Sequence, residues 1–347
     1  MSLIKECQGN TYYSFSNWEG KKWTIPVNNS KVALCLYEPS GIKGKMLKKF
    51  FNISQKMGVI NKLLKGDYVN IDISQNLQNI LINSFGEDLE YSLFWGTPCI
   101  DQKITIQVYR GKTILGYCKI GHSERTKQLF EHEKRILNKL QNSNMKHVPK
   151  CIFEGTVGEN NVFLQNTEKD YSSTTLSGFS EIHEKFLQNL YQNTSEIKFF
   201  EETDFYYELI FLKNNLILLD SEMRYKVEAC INDIMDKLKN KKVEWGIVHR
   251  DFTPWNTCFN GENLYVFDFE YALFNAPNCI DRCHLSFQKY YFENDKKSLE
   301  EIKKVNKYEL IYYMISYLSL YLRRSENTDI VQANNRAKFI INLMDIK

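Results

Sequence analysis

Three oxygen-bearing side chains lie close together in the sequence and have types suited to handling phosphate. Residues 249–256 read HRDFTPWN, and Asp268 opens the segment DFE a short distance downstream. Phosphoryl transfer asks little covalent chemistry of a protein, but it needs a group that orients the attacking hydroxyl and oxygen ligands for Mg²⁺. Two strand-like segments, IVH and NLYVFDF, flank the loop, so they are able to hold Asp251, Asn256 and Asp268 around one point. The pattern favours phosphoryl transfer.

The two motifs resemble those of a known family. HRDFTPWN followed by DFE is similar to the H-x-D-x-x-x-x-N and D-x-E/D signatures of the aminoglycoside phosphotransferase and choline kinase group, which shares its fold with protein kinases. The resemblance implies that Asp251 is catalytic and that Asn256, Asp268 and Glu270 hold the metal. Glu270 stands where protein kinases have glycine, which indicates the small-molecule branch. Arg250 departs from that branch, which commonly has glycine there.

The upstream sequence supplies further positions that match this family in order and spacing. Lys119 lies in the third strand-like segment, YCKIG, where the resemblance places the lysine that contacts ATP. Glu133 begins the pattern E-x-x-x-L-x-x-L, which is similar to the helix whose glutamate pairs with that lysine. Glu131 is a second candidate, but the apolar spacing favours Glu133.

Two more segments carry expected nucleotide contacts. FWGTPC, residues 94–99, falls in the turn that covers the phosphates in this fold, so Gly96 and Thr97 are expected there. VFLQN, residues 162–166, falls where the hinge should receive the adenine edge, with Gln165 as the candidate. The resemblance covers residues 91–285 and implies an α+β, bilobal protein-kinase-like fold with an antiparallel-sheet N-lobe and a mostly helical C-lobe.

The order of elements agrees with that fold. SLFWGTP, KITIQVYR and TILGYCKI read as three antiparallel strands, followed by a helix and then by two strands in CIFEGTVGENNVFLQN. From residue 167 helical periodicity dominates, as in 181–191, 222–238 and 308–324. We therefore expect an N-lobe over 91–166 and a C-lobe over 167–347. Residues 1–90 are expected to form an N-terminal extension of unknown role, with WTIP and VALCLYEPS as short strands.

Composition excludes several protein classes. The 347 residues include 45 Lys+Arg and 42 Asp+Glu, a formal charge of only +3, which argues against a dedicated nucleic-acid binder. The longest apolar run, residues 310–322, is too short to span a bilayer, and the N-terminus lacks the apolar core of a signal peptide. Nine cysteines without a regular frame are then expected to be reduced thiols of a cytoplasmic protein.

A lysine-rich stretch precedes the kinase-like region. Residues 43–65 contain seven lysines and no acid, interleaved with apolar residues at roughly helical spacing. One hypothesis is a surface helix that binds anionic lipid or an acidic partner. The favoured interpretation is an amphipathic helix whose lysines face water.

Other candidate residues are more simply interpreted as structural. CIDRCH, residues 279–284, could suggest zinc, but C-x₃-C-H is not a usual ligand spacing. Within it, Asp281 resembles a family position that supports the catalytic loop. His249 is expected to hold that loop in place. His183 could touch substrate, although a histidine on a helix surface is the default.

The acceptor is the least determined part of the prediction. An aminoglycoside would need an acidic pocket, and choline would need an aromatic cage. The C-terminal region offers many rings, although tyrosines at helical spacing are more often core: Tyr290, Tyr291, Phe292, Tyr312, Tyr313, Tyr317 and Tyr321. The resemblance extends to phosphotransferases of bacterial surface-polysaccharide pathways, which favours a sugar or polyol hydroxyl.

The leading hypothesis is a small-molecule kinase that uses ATP, with GTP as an alternative, and Mg²⁺. One alternative is a non-catalytic nucleotide-binding scaffold, against which the intact Asp251 argues. A protein kinase is a further alternative, but Glu270 and the lack of an activation segment ending in A-P-E count against it.

Overall fold

The computed structural model describes residues 3–17, 19–28, 30–37, 46, 48–49, 51, 65–176, 178–324 and 326–345. The chain divides into two compact units, one of residues 1–138 with 147–174 and one of residues 139–146 with 175–347. The first unit is built on an antiparallel sheet and the second is mostly helical. The fold class expected from the sequence is therefore confirmed.

The first unit contains one eight-stranded sheet in the described part of the chain, in the order β3-β1-β2-β4-β5-β6-β8-β7. Its strands are β1 (Ile4–Ser16), β2 (Lys22–Pro26), β3 (Gly66–Ile73), β4 (Glu90–Phe94), β5 (Ile104–Arg110), β6 (Thr113–Gly121), β7 (Cys151–Val157) and β8 (Asn160–Asn166). Its helices are α1 (Ser30–Ala33), α2 (Gln75–Phe85) and the start of α3 (Glu124–Asn142). The predicted succession of three strands, a helix and two strands is confirmed by β4 to β8.

The sheet includes strands from residues 1–90 as well as those from residue 90 onward. Strand β2 pairs with β4 through Trp23–Phe94 and Thr24–Leu93, so the strands of residues 1–90 continue the same hydrogen-bonded sheet. WTIP lies in β2 as expected. The strand expected for VALCLYEPS is wrong, because residues 30–36 form α1 and a short 3-10 helix. Most of the lysine-rich stretch 43–65 lies outside the described residues.

Apolar clusters cover both faces of this sheet, because successive residues of a strand point to opposite sides. Leu93 belongs to one cluster with Leu77 and Leu81 of α2, whereas its neighbour Phe94 packs against the other. The second cluster is rich in rings, with Tyr13, Phe15, Trp23, Tyr37, Phe51 and Tyr109 among its members. Residues from both sides of position 90 therefore share the same cores.

The second unit is dominated by helices. They are α4 (Glu181–Thr194), α5 (Asp204–Asn214), α6 (Ser221–Leu238), α7 (Cys279–Glu293), α8 (Lys296–Lys304), α9 (Lys307–Arg324) and α10 (Asn327–Asp345). Two small antiparallel sheets are also described, one in the order β13-β10-β9 and one hairpin. Their strands are β9 (Glu196–Phe199), β10 (Lys242–Val248), β11 (Thr257–Phe259), β12 (Leu264–Val266) and β13 (Leu273–Ala276).

The apolar run at residues 310–322 lies inside α9. This helix packs against α5, α7 and α10, and it is buried on most sides, as its nearly continuous apolar sequence predicts. None of the helices in the described part of the chain combines the length and the hydropathy that a bilayer-spanning segment requires. All nine cysteines are free thiols.

We predict that Leu93→Ala lowers the free energy of unfolding by about 2–5 kcal/mol, because Leu93 is fully buried and the truncation leaves a cavity. Urea denaturation measures this change. The control is Ile152→Ala in β7, whose side chain is 41% exposed. Equal losses in the two variants would contradict a shared core beneath the extended sheet.

Candidate active site

A buried ion pair joins β6 to α3 in the first unit. Lys119 Nζ donates to both carboxylate oxygens of Glu133, at 2.9 and 2.7 Å. Both side chains are buried, whereas Glu131, the other candidate partner, is exposed. Desolvating two charges offsets much of their attraction, so a buried pair is weak evidence for a stabilising role. The burial and geometry of the Lys119–Glu133 pair make it a candidate for holding the Lys119 ammonium group in a defined position.

The loop between β4 and β5 contains a position that only glycine can occupy. Gly96 has φ +88°, and a Cβ built on it would lie 2.5 Å from the carbonyl oxygen of Lys103. Thr97, the other predicted loop contact, is exposed. The Gln102 amide holds the loop further by donating to the Trp95 carbonyl at 3.0 Å. The conformation of this loop is thus fixed by close backbone contacts.

Gln165 lies within β8, not in a loop beyond it. Its backbone sits in the ladder between β6 and β7, opposite Tyr117 on one side and Cys151 on the other. The side chain is 3% exposed, and its Oε1 has no hydrogen-bond partner among the described residues. Burying a hydrogen-bond acceptor without a partner costs about 1–3 kcal/mol of folding free energy. A hydrogen-bond donor of a ligand that reached Gln165 Oε1 would remove that cost.

In the second unit the predicted loop places Asp251 against Asn256. Asn256 Nδ2 donates to Asp251 Oδ2 at 2.8 Å and to the Asp251 carbonyl at 3.0 Å. A short 3-10 helix, which begins at Pro254, turns the chain back so that the two residues meet. The Asp251 side chain remains 28% exposed. The loop therefore presents an ordered carboxylate that solvent can reach.

The β11–β12 hairpin brings the DFE segment to the same loop. Thr257 pairs with Val266, and the Phe267 N–H donates to the Asn256 carbonyl at 3.1 Å, which places Phe267 opposite Asn256 and Asp268 one residue further along the chain. The carboxylate oxygens of Asp268 and Glu270 lie within 4.8 Å of each other. Asp268 has φ +71°, a strained conformation for a residue with a side chain.

A buried carboxylate at the start of α7 fixes the backbone of the loop. Asp281 accepts hydrogen bonds from the backbone N–H groups of His249 and Arg250, at 2.8 and 2.7 Å. Burial raises the pKa of Asp281, against the lowering effect of these bonds. The His249 ring bonds the Phe267 carbonyl at 2.9 Å and so ties the loop to the DFE segment.

Arg250 adopts a conformation that normally favours glycine. Its φ is +68°, which explains why a glycine suits this position and why an arginine there needs compensating contacts. Its guanidinium donates to Glu208 at 2.6 Å, to the Ser316 carbonyl at 2.9 Å and to Ser319 Oγ at 2.8 Å. Sequence analysis missed Glu208, because no local pattern marks a residue 42 positions away as the partner.

His284 was considered above only as a weak zinc candidate. The structure instead places its Nε2 at 3.2 Å from Asp251 Oδ1 and at 3.1 Å from the Gln288 amide nitrogen. Within the described residues, Cys279, Cys283 and His284 do not converge as a metal-ligating group. His284 Nε2 therefore lies beside the second oxygen of the Asp251 carboxylate, and a tautomer that donates to Asp251 does not accept from the Gln288 amide.

His183 is not a surface histidine. Its ring is buried, stacks on Phe179, meets the edge of Phe252 and bonds Ser180 Oγ at 2.9 Å. Burial, with a smaller contribution from the charge of Lys289, lowers the pKa of His183 to about 4. The ring is thus neutral at pH 7, and it packs behind the loop that carries Asp251.

The Glu208–Arg250 pair gives a pH-dependent prediction. Burial pushes the pKa of Glu208 up, but the charges of Arg250 and Arg323 outweigh it and hold the pKa below its ordinary value. A carboxylate with a lowered folded-state pKa contributes stability above the unfolded pKa of about 4.3. That contribution is lost as the pH falls through the folded pKa.

We therefore expect Glu208→Gln to lower the free energy of unfolding by about 3–5 kcal/mol at pH 7 and to flatten its loss on acidification. Chemical denaturation at a series of pH values measures both effects. The control is Glu222→Gln, whose side chain is 67% exposed and pairs with Lys226 on the surface of α6. If both variants behave alike, the buried pair does not support the loop.

One family model matches part of the chain. Residues 186–278 match the family model described as the phosphotransferase enzyme family (APH), and this span includes the HRDFTPWN and DFE motifs. No curated protein sequence matches significantly.

Solved structures share the fold at low identity. A thermostable mutant of aminoglycoside phosphotransferase APH(4)-Ia, in ternary complex with ADP and hygromycin B, is 11% identical, with 78% of this chain and 99% of that chain covered and a TM-score of 0.52. LicA in complex with AMP is 15% identical, with 77% and 98% covered and a TM-score of 0.50. The family match over residues 186–278 confirms the resemblance to the aminoglycoside phosphotransferase-like family of small-molecule kinases, and the solved structures show that the chain shares their fold.

Proposed function

We propose that this protein is a phosphotransferase that moves the γ-phosphoryl group of Mg-ATP to a hydroxyl of a small molecule, with a sugar or polyol as the first candidate. The observation that carries the proposal is the Asp251 carboxylate, which is partly exposed, accepts a hydrogen bond from Asn256 at one oxygen and lies 3.2 Å from His284 Nε2 at the other. A carboxylate that is fixed and accessible suits the orientation of an acceptor hydroxyl.

In the proposed reaction Asp251 orients the acceptor hydroxyl and takes its proton. The acceptor oxygen forms a bond to the γ-phosphorus while the bond from that phosphorus to the bridging oxygen breaks, and ADP leaves with the electron pair. Little further covalent chemistry is required of the protein, so positioning and charge supply most of the rate enhancement.

The donor set beside Asp251 fits Mg²⁺. The carboxylates of Asp268 and Glu270 lie near each other, and the Asn256 amide directs its nitrogen to Asp251, so its oxygen makes no hydrogen bond among the described residues. Carboxylate and amide oxygens are the ligands that Mg²⁺ prefers, and no thiol or imidazole is needed. A bound Mg²⁺ would neutralise charge on the transferred phosphoryl group.

Two features of the first unit support nucleotide binding. Lys119, held by Glu133, is proposed to contact the phosphates, with the backbone at Gly96 and Thr97 covering them. The unpaired Oε1 of Gln165 offers an acceptor to an amino group such as that of adenine. The solved structures of similar fold contain ADP and AMP, which supports a nucleotide as the phosphoryl donor.

We predict that Mg-ATP raises the melting temperature and that Asp268→Ala removes the Mg²⁺-dependent part of the rise. A ligand that binds only the folded state, at a hundred times its Kd, stabilises the protein by about 2.7 kcal/mol. Scanning fluorimetry with ATP and with GTP, each in the presence and absence of Mg²⁺, measures the rise in melting temperature. Asp236→Ala, an exposed position on α6, is the matched control and should keep the full rise. A rise that survives in Asp268→Ala would exclude the proposed metal role.

Asp251→Asn should lower phosphoryl transfer by about 10²–10⁴-fold, because the amide cannot take the proton. The same variant should still bind Mg-ATP, since Asp251 is not a proposed metal ligand. Turnover is followed with a panel of sugars, polyols, choline and aminoglycosides, with Asp236→Asn as the control. Wild-type turnover in Asp251→Asn would contradict its catalytic role. Nucleotide binding without transfer to any acceptor would favour the scaffold alternative.

A further inference from the structure

A buried arginine occupies the aromatic cluster of the second unit. Arg336, on α10, is 4% exposed, and its guanidinium carbon lies 4.2 Å from the ring centroid of Tyr291 and 4.4 Å from that of Tyr317. Phe287 and Tyr313 complete the surroundings at 5.2 and 6.0 Å. We call these four rings the Arg336 cage.

The guanidinium charge is compensated by rings and neutral groups. Arg336 donates to the Tyr313 hydroxyl and, at 3.4 Å, to Gln288 Oε1. No carboxylate of the described residues pairs with it. Since a buried charge without a partner is costly, the electron-rich faces of the rings supply the attraction that an acid would otherwise provide.

The cage lies directly behind the Asp251 carboxylate. Gln288 contacts Arg336 with one end of its amide and the His284 ring, at 3.1 Å, with the other. His284 in turn contacts Asp251 at 3.2 Å, and its ring lies 6.2 Å from that of Tyr317. The positive charge of Arg336 is thus two side chains away from the group proposed to hold the acceptor.

We propose that Arg336 permanently occupies the aromatic cage and thereby determines the charge of the acceptors that the site can bind. The acceptor of this enzyme is then a neutral or anionic hydroxyl compound and not an organic cation. The inference rests on the proposed function, because it concerns the acceptor side of the same site. The space between the rings, which could otherwise bind a quaternary ammonium, is already occupied by the Arg336 guanidinium. A second cation near Asp251 is repelled across a low-dielectric region by Arg336, whose charge no carboxylate of the described residues neutralises.

The test is binding of a cation probe, which does not depend on turnover. Tetramethylammonium chloride is titrated into the full chain by calorimetry, and melting temperatures are compared with sodium chloride at equal ionic strength. The wild type should bind tetramethylammonium only weakly and show no rise in melting temperature beyond that with sodium chloride. Arg336→Ala, which empties the cage, should gain affinity about tenfold or more, as expected for a cation among desolvated rings.

The controls separate the cage from general effects. Arg282→Ala removes an arginine that lies over the Phe179 ring but is half-exposed, and it should gain nothing. Arg336→Gln replaces the charge with a neutral amide of moderate size and should also gain affinity, which keeps the test available if Arg336→Ala does not fold. Tight tetramethylammonium binding by the wild type, or no gain in either Arg336 variant, would overturn the proposal.

Acceptor turnover distinguishes this inference from the proposed function. Choline and its uncharged analogue 3,3-dimethylbutan-1-ol have nearly the same shape and differ in charge. If the wild type phosphorylates choline in preference to the analogue, the cage proposal fails while the phosphotransferase proposal stands. If no Mg-ATP binding occurs but the cage variants gain the cation, the phosphotransferase proposal fails together with the acceptor part of this inference, and only the exclusion of cations from the cage by Arg336 stands.

Discussion

The two hydrogen bonds that Asp281 accepts from the backbone of His249 and Arg250 hold the rest of the second unit's site in place. They draw the end of β10 onto the first turn of α7, where the helix dipole also favours a negative charge. With the backbone fixed there, Arg250 stays at a positive φ and Asp251 follows in a defined position. The His249 ring extends the same constraint to the chain before Asp268.

Buried charges in this protein are balanced in three different ways. Lys119 and Glu133 form a close pair, Glu208 is shared between Arg250 and Arg323, and Arg336 is surrounded by rings. None of these arrangements is the least costly way to fill a core, since apolar residues would avoid desolvation. In each arrangement, the contacts with neighbouring residues hold the charged side chain in a defined position.

The sheet of the first unit shows how a segment without a recognised motif is incorporated into a fold. Strand β4 would be an exposed edge without β2, because its outer N–H and C=O groups would lack partners. Strands β1 to β3 extend the sheet and contribute to both apolar faces, so residues 1–90 share one structural unit with residues 91–138 and 147–166. The motif-based division of the chain could not detect this, since it depends on pairing between distant strands.

The sequence by itself determined the elements and residues that depend on local order. The strands β4 to β8 and the helices α4, α6 and α9 could be predicted from periodicity, and the succession of Lys119, Glu133, the HRDFTPWN loop and DFE could be recognised by its resemblance to the motifs of a known family. Only the tertiary structure decided the partners of those residues. His284 beside Asp251, Glu208 beside Arg250 and Arg336 among the tyrosines join positions far apart in the chain. A local pattern specifies how a segment folds, but a long-range contact depends on how the segments pack, and packing is determined by the whole chain.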